Sequence, residues 1–183
     1  MRMPEIIELD HPVAAALTLA TSSPDFETEI LTHSRSVSDL AMGLLELPAS
    51  YAPRLLKQYE RTVAEQTEAP YFVRDIGGVA LGFVELRGHV QDYAELQYGI
   101  GPHARRKGIA SAATIALLQT GKERWGLERV SLRISTANEP SRRLAQSLGA
   151  VKSELRDEVH VIEGHTIVEQ SWWLNVSTMR ATR

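Results

Sequence analysis

The fold of this chain is decided by the stretch Tyr93-Ala-Glu-Leu-Gln-Tyr-Gly-Ile-Gly-Pro-His-Ala-Arg-Arg-Lys-Gly-Ile-Ala-Ser111. Its first half alternates apolar side chains with others up to Ile100, which predicts a β-strand. Pro102 ends that strand, and basic residues before Gly108 lead into an alanine-rich run that predicts a helix. A strand that feeds a helix through such a turn exposes free backbone N–H groups at the positive end of the helix dipole. The turn is therefore a predicted seat for a phosphate or pyrophosphate group.

Length and composition are those of one globular domain. The chain has 183 residues, 43% of them hydrophobic and 23% charged, so we expect a single domain over 1–183, with a poorly defined N-terminal extension at 1–25. A net charge of −3 argues against a nucleic-acid partner, and the absence of cysteine excludes disulfides and thiolate catalysis. No apolar run is long enough to span a membrane. We therefore expect a cytoplasmic protein that binds neither nucleic acid nor a membrane.

Hydrophobic periodicity predicts the elements on both sides of that stretch. Before it, the predictions are a helix or strand at Pro12–Ala20, a strand at Phe26–Ser36, helices at Val37–Glu46 and Arg54–Glu68, and strands at Tyr71–Ile76 and Val79–Arg87. After it, they are a helix at Gly108–Trp125, a strand at Arg129–Ser135, a helix at Pro140–Ser147, and strands at Val151–Ile162 and His165–Leu174.

These elements predict the fold class. The strand–helix–strand passage from Tyr93 to Ser135 requires a parallel pair, whereas the short links Gly77-Gly78 and Glu163-Gly164 make antiparallel hairpins. We expect an α/β (α+β) protein with a central mixed, mostly antiparallel twisted sheet of about six to seven strands and helices on both faces.

Two motifs resemble the signatures of the GNAT superfamily of acyl-CoA-dependent N-acyltransferases. Arg105-Arg-Lys-Gly-Ile-Ala110 fits its Arg/Gln-x-x-Gly-x-Gly/Ala turn. Asn138-Glu-Pro-Ser141, followed by Leu148-Gly149, is similar to the Asn-x-x-Ser segment of its ribosomal-protein N-terminal acetyltransferase subgroup. Their placement around predicted strands and helices makes the pair more specific than either motif alone. The resemblance implies acetyl-CoA-dependent transfer to a primary amine, either a protein N-terminus or a small molecule, and it also suggests a homodimer.

Acetyl-CoA is the co-substrate that the resemblance implies. Its pyrophosphate would lie on the N–H groups of residues 106–111, where Gly108 permits close approach of the backbone. In the superfamily the preceding strand is splayed from its neighbour, so that its backbone would hold the pantetheine arm. The predicted cofactor-binding residues are Tyr98, Ile100, Arg105, Arg106, Lys107, Gly108, Ile109, Ala110, Ser111 and Asn138, the last of which could also cap a helix.

Two residues are predicted to be catalytic. Glu95 is the predicted general base, directly or through water, and Glu85 on the neighbouring strand is its reserve. Ser141 resembles the subgroup serine near the coenzyme sulfur and is predicted to donate a hydrogen bond to the leaving thiolate or to a relay water. The structural alternatives are an ion-paired or solvated glutamate and an ordinary first-turn serine.

The sequence also departs from the family pattern. Many members carry a tyrosine seven residues after the motif asparagine, thought to protonate the thiolate, and here that position is Ala145. The usual Gly-Phe ending is Gly149-Ala150, and the usual Leu-Arg-Pro opening is missing from residues 26–40. A non-catalytic acyl-CoA-binding or regulatory module therefore remains the alternative function.

Other types of site find little support in the sequence. His160 and His165 flank a hairpin turn with Glu163 but lack a convincing third ligand, so no metal site is predicted. The segment Gly99-Ile-Gly-Pro-His-Ala104 lacks the third glycine of a dinucleotide fingerprint, and no P-loop motif is present.

Overall fold

A sheet of nine strands forms the centre of the computed structural model, which describes residues 2–32, 50–162 and 165–179. The strands are β1 (Ile6–Glu8), β2 (Ala14–Leu19), β3 (Ala69–Asp75), β4 (Ala80–Val90), β5 (Tyr93–Ile100), β6 (Arg129–Ser135), β7 (Val151–Lys152), β8 (Glu158–Ile162) and β9 (His165–Asn175). The helices in the described residues are α1 (26–32), α2 (Tyr51–Ala64), α3 (Ile109–Trp125) and α4 (Glu139–Leu148).

The sheet is mixed and mostly antiparallel, which confirms the predicted fold class. Its order is β1-β2-β3-β4-β5-β6-β9-β7, with β8 also paired to β9. Strands β5 and β6 are parallel because α3 carries the chain between them, whereas the other described pairs are antiparallel. There are more strands than expected because residues 1–25 contribute β1 and β2, and because Val151–Ile162 divides into β7 and β8.

The N-terminal third departs most from the predictions. Residues 26–32 are helical, so the strand predicted over Phe26–Ser36 is wrong in that part. Phe26 and Ile30 are both buried, and their spacing of four residues places them on one helical face. The helix predicted over Val37–Glu46 lies outside the described residues. The ambiguous segment Pro12–Ala20 contains the strand β2.

Helices cover both faces of the sheet, as predicted. Successive residues of a strand point to opposite faces, so Tyr71 and Phe72 of β3 enter different cores. Phe72 packs in a smaller core with buried residues of α1 and α2. Tyr71 belongs to the larger core, to which α3 contributes Leu117 and α4 contributes Ala145 and Leu148. Among the described helices, none combines the length and the apolar character needed to cross a membrane.

Strands β5 and β6 lie side by side over a short distance and then separate. Their register runs from Tyr93 opposite Arg129 to Glu95 opposite Ser131, although β5 continues to Ile100. The other edge of β5 stays paired with β4 up to Ile100. The sheet therefore opens into a wedge between β5 and β6, which begins after Glu95.

Candidate active-site cleft

A cleft of about 550 Å³ lies in this wedge, at the carboxyl end of β5. It is lined by Tyr98, Gly99, Ile100, Pro102, Ala104, Arg105, Arg106, Gly108, Ile109, Ala110, Ser111, Asn138, Pro140, Ser141 and Leu144. The cleft therefore brings together all of the predicted cofactor-binding residues except Lys107, whose side chain is not part of the lining, and it also contains Ser141.

One wall of the cleft is the turn that precedes α3. Arg106 and Gly108 both have a positive φ, of 61° and 78°, and such a backbone folds tightly around its N–H groups. Gly108 is the N-cap of α3 and has no side chain to accept a hydrogen bond from the first-turn N–H groups. The first turn of α3 also lacks an acidic residue. Its N–H groups and the positive end of its dipole therefore fit an anionic ligand such as a pyrophosphate.

Basic side chains add positive charge to the same wall. Arg105 and Arg106 both line the cleft. The Arg105 Nε donates a hydrogen bond of 2.9 Å to the carbonyl of Ile100, which connects the end of β5 to the turn. This contact fixes the guanidinium beside the first turn of α3, where it would favour the binding of phosphate.

The opposite wall is the beginning of α4. Asn138 is its N-cap, and the Asn138 Oδ1 accepts a hydrogen bond of 3.2 Å from the Ser141 backbone N–H. The Tyr98 hydroxyl donates a hydrogen bond of 3.3 Å to the Ser141 carbonyl, which links β5 to α4 across the cleft. Burial raises the pKa of Tyr98 to about 12, so the phenol is protonated at neutral pH. Ala145 lies in the core and does not line the cleft.

Glu95 lies at the vertex of the wedge, outside the lining of the cleft. Its side chain is 23% exposed and accepts hydrogen bonds from Arg133 Nη2, at 3.3 and 3.4 Å, and from Gln97 Nε2, at 3.0 Å. Glu95 is thus ion-paired on the face of the sheet that α2 covers. The partner Arg133 was not foreseen, because the sequence does not show which side chain of β6 faces Glu95.

Glu85, the reserve base, lies on the same face but is almost completely buried. The Tyr59 hydroxyl of α2 donates a hydrogen bond of 3.0 Å to its carboxyl group, and Arg87 Nε lies 3.7 Å away. Burial raises the pKa of Glu85 to about 8, although both Arg87 and Tyr59 lower it. The sequence does not show that Tyr59 contacts Glu85, because the two residues lie on different elements, 26 positions apart.

A second group of titratable side chains occupies the β8–β9 hairpin. Glu158, His160 and Glu169 have donor atoms within 4.8 Å of one another. The His160 Nε2 lies 3.4 Å from a Glu169 oxygen and 3.6 Å from a Glu158 oxygen. Arg133 Nη1 lies 3.7 Å from Glu158 and balances part of the negative charge. Glu163, which the sequence placed near these histidines, lies outside the described residues.

Comparisons with known proteins agree with this fold. The family profile described as "Acetyltransferase (GNAT) domain" matches residues 18–151. No curated protein matches the chain significantly. One similar structure is a spermidine N-acetyltransferase from Vibrio cholerae in complex with CoA and spermine, with 20% identity, a TM-score of 0.72, and coverage of 88% of this chain and 96% of that chain. Another is a ribosomal L7/L12 alpha-N-protein acetyltransferase in complex with coenzyme A, with 12% identity and a TM-score of 0.79. The match covers 95% of this chain and 99% of that chain.

Proposed function

Because this chain belongs to the acetyltransferase (GNAT) domain family, we propose that it transfers an acetyl group from acetyl-CoA to a primary amine. The observation that carries this proposal is the cleft between β5 and β6, with the N-terminus of α3 and its N-cap Gly108 on one wall and Ser141 on the other. A cytoplasmic location and a homodimer remain predictions from the sequence and from the family resemblance.

Different residues of the cleft would bind different parts of coenzyme A. The first-turn N–H groups of α3, with Arg105 and Arg106, would hold the pyrophosphate. The edge of β5 that faces β6 offers the backbone groups of residues 98–100 to the amides of the pantetheine arm. Asn138 already uses its Oδ1 to cap α4, so we assign only its amide nitrogen to the coenzyme.

The chemistry places two demands on the protein. Acetyl-CoA supplies an acetyl group that is activated as a thioester. As the C–N bond forms and the C–S bond breaks, the amine must lose a proton and the sulfur must gain one. We assign the first proton to Glu95, acting through water because its carboxylate lies at the vertex of the wedge rather than in the cleft. We assign a hydrogen bond to the sulfur to the Ser141 hydroxyl, which lines the cleft, and the departing thiolate takes its proton from water.

The face of the sheet beside α2 favours a cationic acceptor. Glu95, Glu158 and Glu169 lie on this face, with Arg133 as a shared partner of the first two. The carboxylates outnumber that guanidinium, so they would attract a protonated amine. Likeness to a spermidine acetyltransferase agrees with a small polyamine, and likeness to a ribosomal-protein acetyltransferase agrees with a protein N-terminus.

The test combines binding with turnover. Calorimetry should detect coenzyme A binding, and acetyl-CoA at about 100 times its Kd should stabilise the fold by roughly 2.7 kcal/mol, seen as a rise in Tm. Release of free thiol should then require an amine, which is screened with spermidine, with a peptide that has a free N-terminus, and with the same peptide N-terminally blocked.

Each result separates the two candidate functions. Thiol release with spermidine or with the unblocked peptide supports the enzyme and identifies its acceptor class. Binding without release for any amine supports the non-catalytic module, which the presence of Ala145 in place of the usual tyrosine permits. A protein that does not bind coenzyme A contradicts both functions.

A further inference from the structure

His11, three residues before the start of β2, connects the N-terminal segment to the turn before α3. Its Nδ1 accepts hydrogen bonds from the backbone N–H groups of Val13 and Ala14, both at 3.1 Å. Its Nε2 lies 2.8 Å from the carbonyl oxygen of Lys107. Because a backbone N–H can only donate and a carbonyl can only accept, the ring is neutral and carries its proton on Nε2. The imidazole therefore bridges two segments that are 96 residues apart in the chain.

The bond to Lys107 restrains the peptide group that enters Gly108. In a planar trans peptide the N–H points opposite to the C=O. Since the Lys107 carbonyl points to His11, the Gly108 N–H points away from His11. The imidazole also lies close over the turn, because a Cβ added at Gly108 would be 3.5 Å from the His11 Nε2.

The turn needs such a restraint from outside. Arg106 has φ of 61°, a left-handed conformation that is unfavourable for a residue with a side chain. Gly108 follows with φ of 78°, and glycine adopts alternative conformations easily. A strained backbone of this kind persists when surrounding contacts over-determine it. The hydrogen bond from the His11 Nε2 supplies one such contact to the Lys107–Gly108 peptide.

We propose that His11 is a positioning residue of the coenzyme turn, which orients the Lys107–Gly108 peptide so that the Gly108 N–H faces the pyrophosphate. This role rests on the proposed function, because it requires that the cleft bind coenzyme A. His11 itself does not line the cleft. Residues 1–25, which were predicted as a poorly defined extension, would thus stabilise the coenzyme turn through His11.

Two substitutions separate the local and the bridging contacts of His11. In His11→Asn the Oδ1 takes the place of Nδ1, so it can still accept from Val13 and Ala14, but the side chain lacks a donor that reaches Lys107. In His11→Gln the side-chain amide can still donate to the Lys107 carbonyl. The control is His89→Asn, the same substitution at a histidine of β4 that lies outside the lining of the cleft.

The first measurement is the Kd of coenzyme A. Loss of one hydrogen bond that orients the turn should raise the Kd of His11→Asn about three- to tenfold, while His11→Gln recovers part of the affinity and His89→Asn binds as wild type. The KM for acetyl-CoA should rise by the same factor and the KM for the amine should not change. The Tm of ligand-free His11→Asn should stay close to that of wild type, which distinguishes positioning of the turn from general destabilisation.

The second measurement uses the ligand-free protein. The ¹⁵N chemical shifts of the His11 ring should identify the neutral tautomer with the proton on Nε2. An Nδ1–H tautomer, or a wild-type Kd for His11→Asn, would overturn the proposal while leaving the proposed function intact. If wild-type protein does not bind coenzyme A, the proposed function fails and the role of His11 fails with it.

Discussion

Glu85 and Glu95 are two carboxyl groups on one face of the sheet with opposite surroundings. Glu85 is 2% exposed, and burial raises its pKa to about 8 although a guanidinium and a phenol lie beside it. It is therefore mostly neutral at pH 7. Glu95 keeps partial access to solvent and pairs with Arg133. At neutral pH Glu85 is therefore poorly able to accept a proton, and Glu95 remains the proposed base.

The rate of acetyl transfer should distinguish them. Glu95→Gln removes the proposed base and should lower kcat/KM for the amine at pH 7 by about a hundredfold or more. Glu85→Gln mimics the neutral acid that already predominates below pH 8, so the rate at pH 7 should stay within about threefold of wild type. The two variants are measured by thiol release over pH 6 to pH 9. The opposite pattern, an inactive Glu85→Gln beside an active Glu95→Gln, would reassign the base to Glu85.

The sequence predicts on which face of the sheet a side chain lies, but it does not identify the residues that the side chain contacts. Alternation along β5 places Glu95 on the face opposite to Leu96, which is buried in the larger core. However, Arg133 lies 38 residues away from Glu95, and Tyr59 lies 26 residues away from Glu85. Ion pairs and hydrogen bonds over such separations depend on how whole elements pack, and this packing leaves no local pattern in the sequence.

Among the elements, the strand–turn–helix unit of β5 and α3 was predictable because its signals are local. Glycines at Gly108 and Gly126 mark both ends of α3, and both have a left-handed conformation. Residues 26–32 misled the prediction because every second residue from Phe26 to Thr32 alternates with a charged or larger one, while the burial of Phe26 and Ile30 follows the helical period. The segment that contains β2 stayed open between helix and strand because β2 consists largely of small residues, which carry a weak β-signal.

The turn before α3 makes a prediction at the scale of this element. Gly108→Ala places a Cβ on a backbone with φ of 78°, at a cost of about 1 kcal/mol or somewhat more, and brings it against the His11 ring. We expect coenzyme A affinity to fall at least tenfold as the turn shifts. Gly78→Ala is the matched control, since Gly78 has φ of 82° and open space around it in the β3–β4 hairpin.

Both variants should lose similar stability in urea unfolding, because both force an alanine into the left-handed region. Only Gly108→Ala should lose affinity in calorimetry with coenzyme A. Equal affinities for the two variants would show that the geometry of this turn does not govern binding.

At the scale of the whole molecule, the cleft lies between two parts of the sheet that pair with each other over only three register positions. Beyond the register pairs that end at Glu95 and Ser131, β5 and the beginning of α4 are connected by the Tyr98–Ser141 hydrogen bond. His11, from the N-terminal segment, contacts the turn before α3 through the Lys107 carbonyl. The family motifs predicted the cleft, whereas this support depends on contacts between distant segments and could not be predicted.

A ligand that contacts both walls should therefore stabilise them together. Coenzyme A should slow amide hydrogen exchange in the first turn of α3, along residues 98–101 and in the first turn of α4, because it ties β5 to both helices. Exchange in α2, which packs on the other face of the sheet, should change little. In Tyr98→Phe the hydroxyl that joins β5 to α4 is lost while the ring remains, so protection of α4 should become more dependent on the ligand. Protection confined to α3 would mean that the coenzyme occupies one wall only, and Ser141 could then not lie beside its sulfur.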